Sequence, residues 1–218
     1  MRVVTVSVGV PREVLWNGRV VTTGIFKEAV KGPVTLRRHN LDGDQQADLT
    51  VHGGPNKAVY AYPLEHYGYW AERLPGRDLP MGSFGENLTT EGLLESAVCV
   101  GDRFRIGTAE VVVTQPRMPC YKLGIKFESD AMIKLFLESR RSGLYLAVLS
   151  EGEVGAGDSI ERLSHEPDAV CISEVVRLYL AKTYGEAETS SVRRLLQTPA
   201  LPESWKEYFL EKLERAEG

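Results

Sequence analysis

A cysteine within a cationic segment that contains two prolines is the residue whose surroundings most favour chemistry. Two residues separate Cys120 from Arg117 before it, and one residue separates it from Lys122 after it. The prolines fix φ and remove backbone donors, so residues 114–123 are predicted to form a stiff, extended loop after a strand. Nearby cations favour the thiolate, the form that acts as nucleophile and metal ligand. The pattern indicates a reactive or ligating cysteine; the alternative is a small apolar residue that fills a loop.

A glycine pair between a histidine and a lysine forms a second candidate. His52, Gly53, Gly54 and Lys57 lie within six residues of sequence. Glycine lets bare backbone approach a ligand closely and donate N–H groups to an anion. The alternative is an ordinary glycine turn with a solvated lysine.

Two further polar segments could bind an anion. The glycine-flanked loop 82–88 contains Asn87, whose amide both donates and accepts hydrogen bonds. Arg37 and His39 lie at the end of a strand-like run, where an arginine could hold a phosphate with two hydrogen bonds. The alternatives are a tight turn into a strand and an exposed, charged strand end.

Composition limits the class of protein to which these segments belong. The chain has 218 residues, of which 43% are hydrophobic and 26% charged, as in an ordinary soluble protein. Its net charge of -4 argues against a nucleic-acid binder, although it leaves room for a local basic pocket. The N-terminus has neither a signal-peptide core nor a stretch long enough to cross a bilayer, so no membrane attachment is expected.

The use of cysteine indicates a reducing compartment. Cys99, Cys120 and Cys171 lie far apart in the sequence and cannot all pair with one another. Cys99 and Cys171 stand beside valine and isoleucine and are interpreted as packing residues. The expected location is the cytoplasm.

Short strand-like segments dominate the first 165 residues. They are predicted at residues 2–10, 19–22, 34–37, 87–90, 98–106, 109–114, 143–149 and 158–163, with a hairpin turn at 105–109. Because most of them are not followed by a helix, they favour a barrel or sandwich over a parallel sheet. Helices are predicted at 64–74 and 130–140. The fold class is therefore mainly β or α+β.

The pattern becomes helical beyond residue 165. Helices are predicted at residues 172–184, 190–196 and 202–213. This divides the chain into a β domain at 1–165 and a three-helix domain at 166–218. So small a helical unit needs the barrel or another subunit to be stable, which favours a homodimer.

Three segments in a fixed order, residues 52–62, 84–88 and 115–120, closely resemble the MOSC family and, within it, the bacterial YiiM type. The likeness covers most of residues 1–165, and the tail resembles the three-helix domain of that type. The resemblance implies a MOSC-type β-barrel with inserted helices that binds a pterin molybdenum cofactor. In it the cysteine matching Cys120 supplies a sulfur ligand to molybdenum. Similar proteins reduce N-hydroxylated compounds, such as 6-hydroxylaminopurine to adenine.

The residue types agree with the chemistry that the resemblance implies. Thiolate is a suitable soft donor for molybdenum, and the cofactor would carry the redox change. Cations and backbone donors would hold the anionic pterin phosphate, and the candidates are Arg37, His39, His52, Gly53, Gly54, Lys57, Asn87 and Arg117. His52 is also the best side chain by type to supply protons for the reduction, with ordered water as the alternative.

Electrons are expected from outside the chain. It has too few cysteines for a four-thiolate iron–sulfur cluster and no flavin or nicotinamide fingerprint, so an external electron-donor protein is implied. Two other functions stay open. One is a non-catalytic carrier of the cofactor or of sulfur that uses the same Cys120. The other is a metal-free cysteine nucleophile with His39 or His52 as its base.

Overall fold

The fold is known from a computed structural model, which describes residues 1–45 and 53–217. The strands are β1 (Arg2–Val8), β2 (Arg12–Trp16), β3 (Arg19–Thr23), β4 (Glu28–Ala29), β5 (Val34–Leu36), β6 (Val59–Pro63), β7 (Leu88–Glu91), β8 (Arg103–Ile106), β9 (Ala109–Pro116), β10 (Leu144–Ser150), β11 (Gly152–Val154) and β12 (Ile160–Ser164). The helices are α1 (Glu65–Arg73), α2 (Tyr121–Phe127), α3 (Ala131–Ser139), α4 (Ile172–Leu180), α5 (Glu186–Leu196) and α6 (Glu203–Glu217).

One large sheet organises the molecule. Its eight strands run in the order β12-β8-β9-β10-β6-β7-β1-β4, and β6 pairs with β7 in parallel while the other neighbours are antiparallel. Two short ribbons, β5 with β11 and β2 with β3, accompany it. The structure is thus sheet-dominated α+β, as the sequence predicts.

The sheet does not close completely into the β-barrel that the family resemblance implies. The start of β1 meets residues 157–160 at a bridge between Arg2 and Ser159. Backbone hydrogen bonds of 2.9 Å from Val3 N to Asp158 O, from Gly157 N to Val3 O and from Ile160 N to Met1 O support this contact. No continuous ladder joins these two strands within the described ranges. β1 pairs instead with β4 through Ser7 and Val8, so only its first residues meet β12. The result is a curled sheet whose ends meet over a short stretch, between residues 1–3 and 157–160.

Most predicted elements are present, and the differences have local causes. The hairpin between β8 and β9 turns at Gly107, where φ is +56°, a value that glycine adopts readily. The predicted strand 98–106 begins only at Arg103, because Asp102 forms a tight turn with Cys99. Helix α2 was not predicted; it replaces the second half of the expected extended loop.

The helical tail packs on the sheet. Buried residues of the helices, among them Val175, Leu178 and Leu195, belong to the same hydrophobic cluster as Val111 and Leu146 of the sheet. The tail therefore shares a core with the sheet, which provides the support that a unit of this size requires. The last strand ends at Ser164 and α4 begins at Ile172, while the domain division at residue 165 stays a prediction.

An aromatic cluster lies where α1, α2 and α3 meet β6. Its buried members are Tyr60, Tyr62, Trp70, Phe84, Phe127 and Phe136, with Leu123 and Met132. The Trp70 indole donates a hydrogen bond of 2.6 Å to the Tyr62 hydroxyl, so a polar atom in this layer is satisfied. Dense packing of this kind restricts the movement of the side chains that contact the cluster.

The cysteines differ from the sequence interpretation. Cys99 and Cys171 form a disulfide, which corrects their interpretation as separate packing residues. Both are also backbone partners in an isolated bridge that joins the sheet to the start of α4. Cys120 is the free cysteine. None of the helices in the described ranges is long and apolar enough to cross a membrane.

Candidate functional site

A cavity at the end of β9 collects four of the predicted site residues. Lys57, Asn87, Arg117 and Cys120 all line it. It is also lined by Lys27, Asp44, Lys122 and Tyr145, which are not among the site residues predicted from the sequence. The cavity therefore combines one thiol with a group of cations.

Cys120 lies between a strand end and a helix start. β9 continues through Pro116, which pairs with Leu144 of β10, and α2 begins at Tyr121. Only residues 117–120 form the connection, so the extended loop predicted for 114–123 is shorter than expected. Cys120 has extended backbone, φ -124° and ψ 173°, and is half-buried. Its thiol is thus held by ordered elements on both sides while it stays accessible from the cavity.

Arg117 is a buried cation with unused hydrogen-bonding capacity. Its side chain lies between the rings of Tyr60 and Phe136, with Cζ at 5.3 and 5.0 Å from the ring centroids. Only 5% of the residue is exposed, and its NH1 atom has no hydrogen-bond partner within the part of the chain described. The Oε1 atom of Gln115 is also buried and has no hydrogen-bond partner among the described residues. Buried polar atoms normally have partners, so the NH1 atom of Arg117, which lines the cavity, is suited to a ligand, whereas Gln115 does not line the cavity.

Two lysines lie near the thiol. Lys57 ends the 3-10 turn Pro55–Lys57, which Thr114 anchors through a hydrogen bond of 2.7 Å from Oγ1 to Asn56 O. Burial lowers the pKa of Lys57, and the charge of Cys120 partly offsets this effect. The Lys57 ammonium group is thus close enough to Cys120 for an electrostatic interaction. Lys122 of α2 is buried as well. A ligand in the cavity would meet these cations together with Arg117.

Asn87 belongs to a buried polar network. Its Nδ2 donates to Asp44 Oδ2 at 3.0 Å, and its Oδ1 accepts from Tyr60 N at 3.1 Å. Asp44 also forms a buried ion pair with Lys27 and accepts from Gly9 N at 2.8 Å. The amide of Asn87 is therefore already used in positioning β6 and this ion pair, whereas its contact with a cofactor stays a prediction.

Glu86 explains the loop that precedes Asn87. Its buried carboxylate accepts hydrogen bonds from Gly82 N at 2.9 Å, Phe84 N at 3.0 Å and Thr89 Oγ1 at 3.1 Å, and also from the Tyr67 hydroxyl. The carboxylate thus satisfies several loop donors at once. The glycines mark this loop in the sequence, whereas the role of Glu86 becomes visible only in the fold.

The glycine turn has the conformation that close approach requires. Gly54 has φ +93°, and a Cβ there would meet no heavy atom within 4 Å. A bare backbone next to open space is compatible with an anion. Gly53 precedes it and is partly exposed. His52, predicted as both a cofactor ligand and a proton donor, lies outside the described residues.

Arg37 and His39 lie apart from the cavity. Arg37 donates two hydrogen bonds of 2.9 Å to the Asp42 carboxylate and lies 3.7 Å from Glu151. These carboxylates raise the pKa of Arg37, with the Asp42 hydrogen bond as the largest cause. His39 is exposed, and neither residue lines the cavity around Cys120. The position of Arg37 and His39 outside the cavity therefore gives no support to their predicted contacts with the cofactor.

The site offers one soft ligand rather than a set. In the described ranges, the only group of three His, Cys or carboxylate side chains close enough to share a metal ion is Cys99, Asp102 and His165, which excludes Cys120. A metal at Cys120 would need its other ligands from a cofactor, a solvent molecule or residues outside those ranges. The cations around the thiol suit a group that brings negative charge with it.

Known proteins resemble this chain over nearly its whole length. YflK of Bacillus subtilis (strain 168), an uncharacterized protein, is 41% identical over 214 residues, covering 98% of this chain and 95% of the relative. The crystal structure of YiiM from Geobacillus stearothermophilus superposes with a TM-score of 0.80 at 34% identity, covering 97% of this chain and 98% of the other.

A third relative is a longer protein. A reductase of Gibberella moniliformis (strain M3125 / FGSC 7600) is 33% identical over 168 residues, which are 76% of this chain but 30% of the relative.

Residues 48–161 match the MOSC domain family, and residues 170–216 match the YiiM-like, 3-alpha helix domain. The chain therefore belongs to the MOSC domain family, as a protein of the YiiM type.

Proposed function

We propose that the protein is a molybdenum-dependent reductase of N-hydroxylated compounds. The observation that carries this proposal is the free thiol of Cys120 in a cavity that also holds Arg117, whose buried NH1 lacks a partner in the described chain. MOSC domains in general are associated with binding of the molybdenum cofactor. A similar protein that bears the name reductase supports redox chemistry for this type of domain.

The residues present fit a pterin molybdenum cofactor. Cys120 would give the metal a thiolate, and Arg117, Lys57 and Lys122 would hold the anionic phosphate group. Gly54 would let the cofactor approach the backbone. When bound, the cofactor supplies the two-electron redox change.

The chain's own residues would bind the substrate and manage protons. Reduction of R–NHOH to R–NH2 and water consumes two electrons and two protons. Burial raises the pKa of Tyr60 and Tyr145, which makes both hydroxyls poor acids for this step. Burial lowers the pKa of Lys57, so its ammonium group is the better described donor beside the thiol. His52 remains the predicted donor outside the described ranges.

Electrons would come from a separate donor protein. This partner belongs to the proposal, because the sequence lacks a fingerprint for a second redox group. The homodimer stays a prediction from the small size of the helical unit. A docked donor would have to bring its redox centre near the cavity. The half-buried position of Cys120 is compatible with such access.

The rival functions make different demands on the same site. A cofactor or sulfur carrier would use Cys120 without turnover. A metal-free nucleophile would need a base, and no histidine is among the described residues that line the cavity. The geometry therefore gives the metal-free enzyme less support than the molybdenum-dependent one.

One experiment separates these functions. The protein is purified from a host that makes the molybdenum cofactor, and its molybdenum and pterin contents are measured along with reduction of 6-hydroxylaminopurine by a chemical reductant. We expect stoichiometric cofactor and turnover, with turnover lost in Cys120→Ser. Cofactor without turnover would identify a carrier. Turnover without molybdenum would overturn the proposal.

A further inference from the structure

A second group of metal-ligating side chains lies where the sheet meets the helical tail. Ligand atoms of Cys99, Asp102 and His165 all lie within 4.8 Å of one another. Cys171 adds a second sulfur, because it is joined to Cys99 by the disulfide. Three donors of the types that zinc prefers thus lie close together with a second sulfur bonded to one of them, and none of the four residues lines the cavity around Cys120.

We propose that Cys99, Cys171, Asp102 and His165 form a zinc site when the disulfide is reduced. Two thiolates, an imidazole and a carboxylate complete a tetrahedral, closed set of ligands, as structural zinc sites require. Donor atoms in such a site lie about 3.3–3.8 Å apart when the bonds are about 2.0–2.3 Å. The upper limit of 4.8 Å among the ligand atoms of Cys99, Asp102 and His165 is close to these distances, and the side chain of His165, which is 38% exposed, has room to move toward a metal.

The polar contacts favour a metal over a disulfide alone. A disulfide needs no charged neighbours, yet the fully buried carboxylate of Asp102 faces both the His165 ring, at 2.7 Å from Nδ1, and the backbone N of Cys99, at 3.0 Å. A histidine held by a carboxylate is a common arrangement around zinc. This contact holds His165 and Asp102, two of the four proposed ligands, side by side.

The charges around the site also balance. Zinc with two thiolates and one carboxylate carries a net charge of -1. Arg162 lies 3.7 Å from Asp102 Oδ2 and donates a hydrogen bond of 2.6 Å to Ala97 O, so its guanidinium is held beside the site. This cation compensates the remaining negative charge.

The proposed conversion is balanced in electrons and protons. A dithiol gives two electrons and two protons to the disulfide and is itself oxidised to a disulfide. A phosphine gives two electrons and becomes a phosphine oxide, while water supplies the oxygen atom and the two protons. Two thiols form in either case. Zinc then displaces both thiol protons as the thiolates bind. Either form links the sheet to the tail, because Cys99 lies in the segment before β8 and Cys171 directly before α4. Hydrogen bonds from Val100 N to Val170 O and from Ile172 N to Val98 O keep the two segments together.

Cobalt is the spectroscopic probe for this site. The Cys120→Ser protein, which lacks the third thiol, is reduced with a phosphine and titrated with Co²⁺. We expect one equivalent to bind with thiolate-to-cobalt charge-transfer bands and strong tetrahedral d–d absorption, and excess Zn²⁺ should displace it. The oxidised protein should show neither band. The titration uses the Cys120→Ser variant without the molybdenum cofactor, so its result does not depend on the proposed function.

Three variants locate the site. Cys171→Ser and His165→Ala should each weaken Co²⁺ binding at least about tenfold. His66→Ala is the matched control, since His66 also pairs with a carboxylate, Glu95 at 2.8 Å, and should leave binding unchanged. Circular dichroism checks that each variant is folded. If Cys171→Ser does not fold, the cobalt titration of His165→Ala alone tests the proposed site. Absence of the cobalt bands in the reduced protein, or full binding in His165→Ala, would overturn the proposal.

Discussion

The guanidinium carbon of Arg117 lies 5.0 Å from the centroid of the Phe136 ring. Tyr60 lies on another side at 5.3 Å, and its hydroxyl donates a hydrogen bond of 2.8 Å to Ser142 O, which fixes the ring. A cation between two rings is stabilised electrostatically by their faces. Arg117 therefore holds its charge in a set position within the cavity before any ligand arrives.

Arg117 should control retention of an anionic cofactor. Arg117→Lys keeps the charge but loses the planar fork, and Arg117→Met removes both. We expect molybdenum and pterin content after identical purification to fall about tenfold or more in Arg117→Met, with a smaller loss in Arg117→Lys. The control is Arg141→Met, since Arg141 also contacts an aromatic ring, Tyr69 at 3.8 Å, but does not line the cavity. Equal content in all four proteins would contradict the assigned role.

Lys57 should make anion binding depend on pH. Burial lowers its pKa from the ordinary 10.5, so it loses its proton below that value as the pH rises. Phosphate binding, measured by calorimetry on the cofactor-free protein, should therefore weaken across this alkaline range. Lys57→Arg should retain binding to higher pH, because arginine stays charged.

The same pKa shift affects stability with a defined sign. A lysine whose pKa is lower in the folded state binds fewer protons there than in the unfolded state. The buried Lys57 ammonium group lowers the free energy of unfolding by its full amount when the pH is below the pKa of Lys57 in the folded protein. This destabilisation disappears as the pH rises toward 10.5, so the protein should become more stable. Loss of stability attributable to Lys57 on raising the pH would contradict this assignment.

The sequence predicted most strands because their period and turn residues are local properties. The hairpin at Gly107 and the strand before Cys120 depend on neighbours in the chain, and both are present. Helix α2 was missed because the two preceding prolines favour extended backbone, whereas the helix starts immediately beyond them at Tyr121. The next signal, a run of helix-compatible residues at 121–127, was too short to stand out.

The site could be predicted only where its residues form motifs. Cys120, Arg117 and Lys57 stand in recognisable segments and line one cavity. Lys27 and Asp44 were missed because neither belongs to a recognisable motif, and only the fold brings them together across seventeen positions. The pairing of Cys99 with Cys171 has the same cause, since their sequence separation is 72. Long-range contacts of this kind leave no local pattern.

Glu86 should be essential for the loop that leads into β7. Glu86→Gln replaces an acceptor oxygen by an NH2 group, which faces backbone donors that then lose their partner. We expect the free energy of unfolding to fall by about 2–3 kcal/mol, measured with urea. The control is Glu138→Gln, in an exposed pair 3.7 Å from Lys134, which should change stability by less than about 0.5 kcal/mol. An equal effect of the two substitutions would show that the buried contacts of Glu86 contribute little.

The buried ion pair between Lys27 and Asp44 should be far more important for stability than an exposed pair of the same geometry. Both side chains are almost fully buried, and Asp44 also accepts from Gly9 N and Asn87 Nδ2. Lys27→Met leaves the carboxylate without its cation in the interior, which costs about 3–5 kcal/mol.

The exposed pair Arg2 with Glu91 gives the matched comparison, because its side chains remain 61% and 48% exposed. Arg2→Met should lower the free energy of unfolding by less than about 1 kcal/mol. Urea unfolding of the two variants beside wild type makes the test, with phosphate binding as a second readout, since Asn87 and the cavity wall depend on Asp44. If Lys27→Met unfolds at the same urea concentration as Arg2→Met, the ion pair does not support this wall of the site.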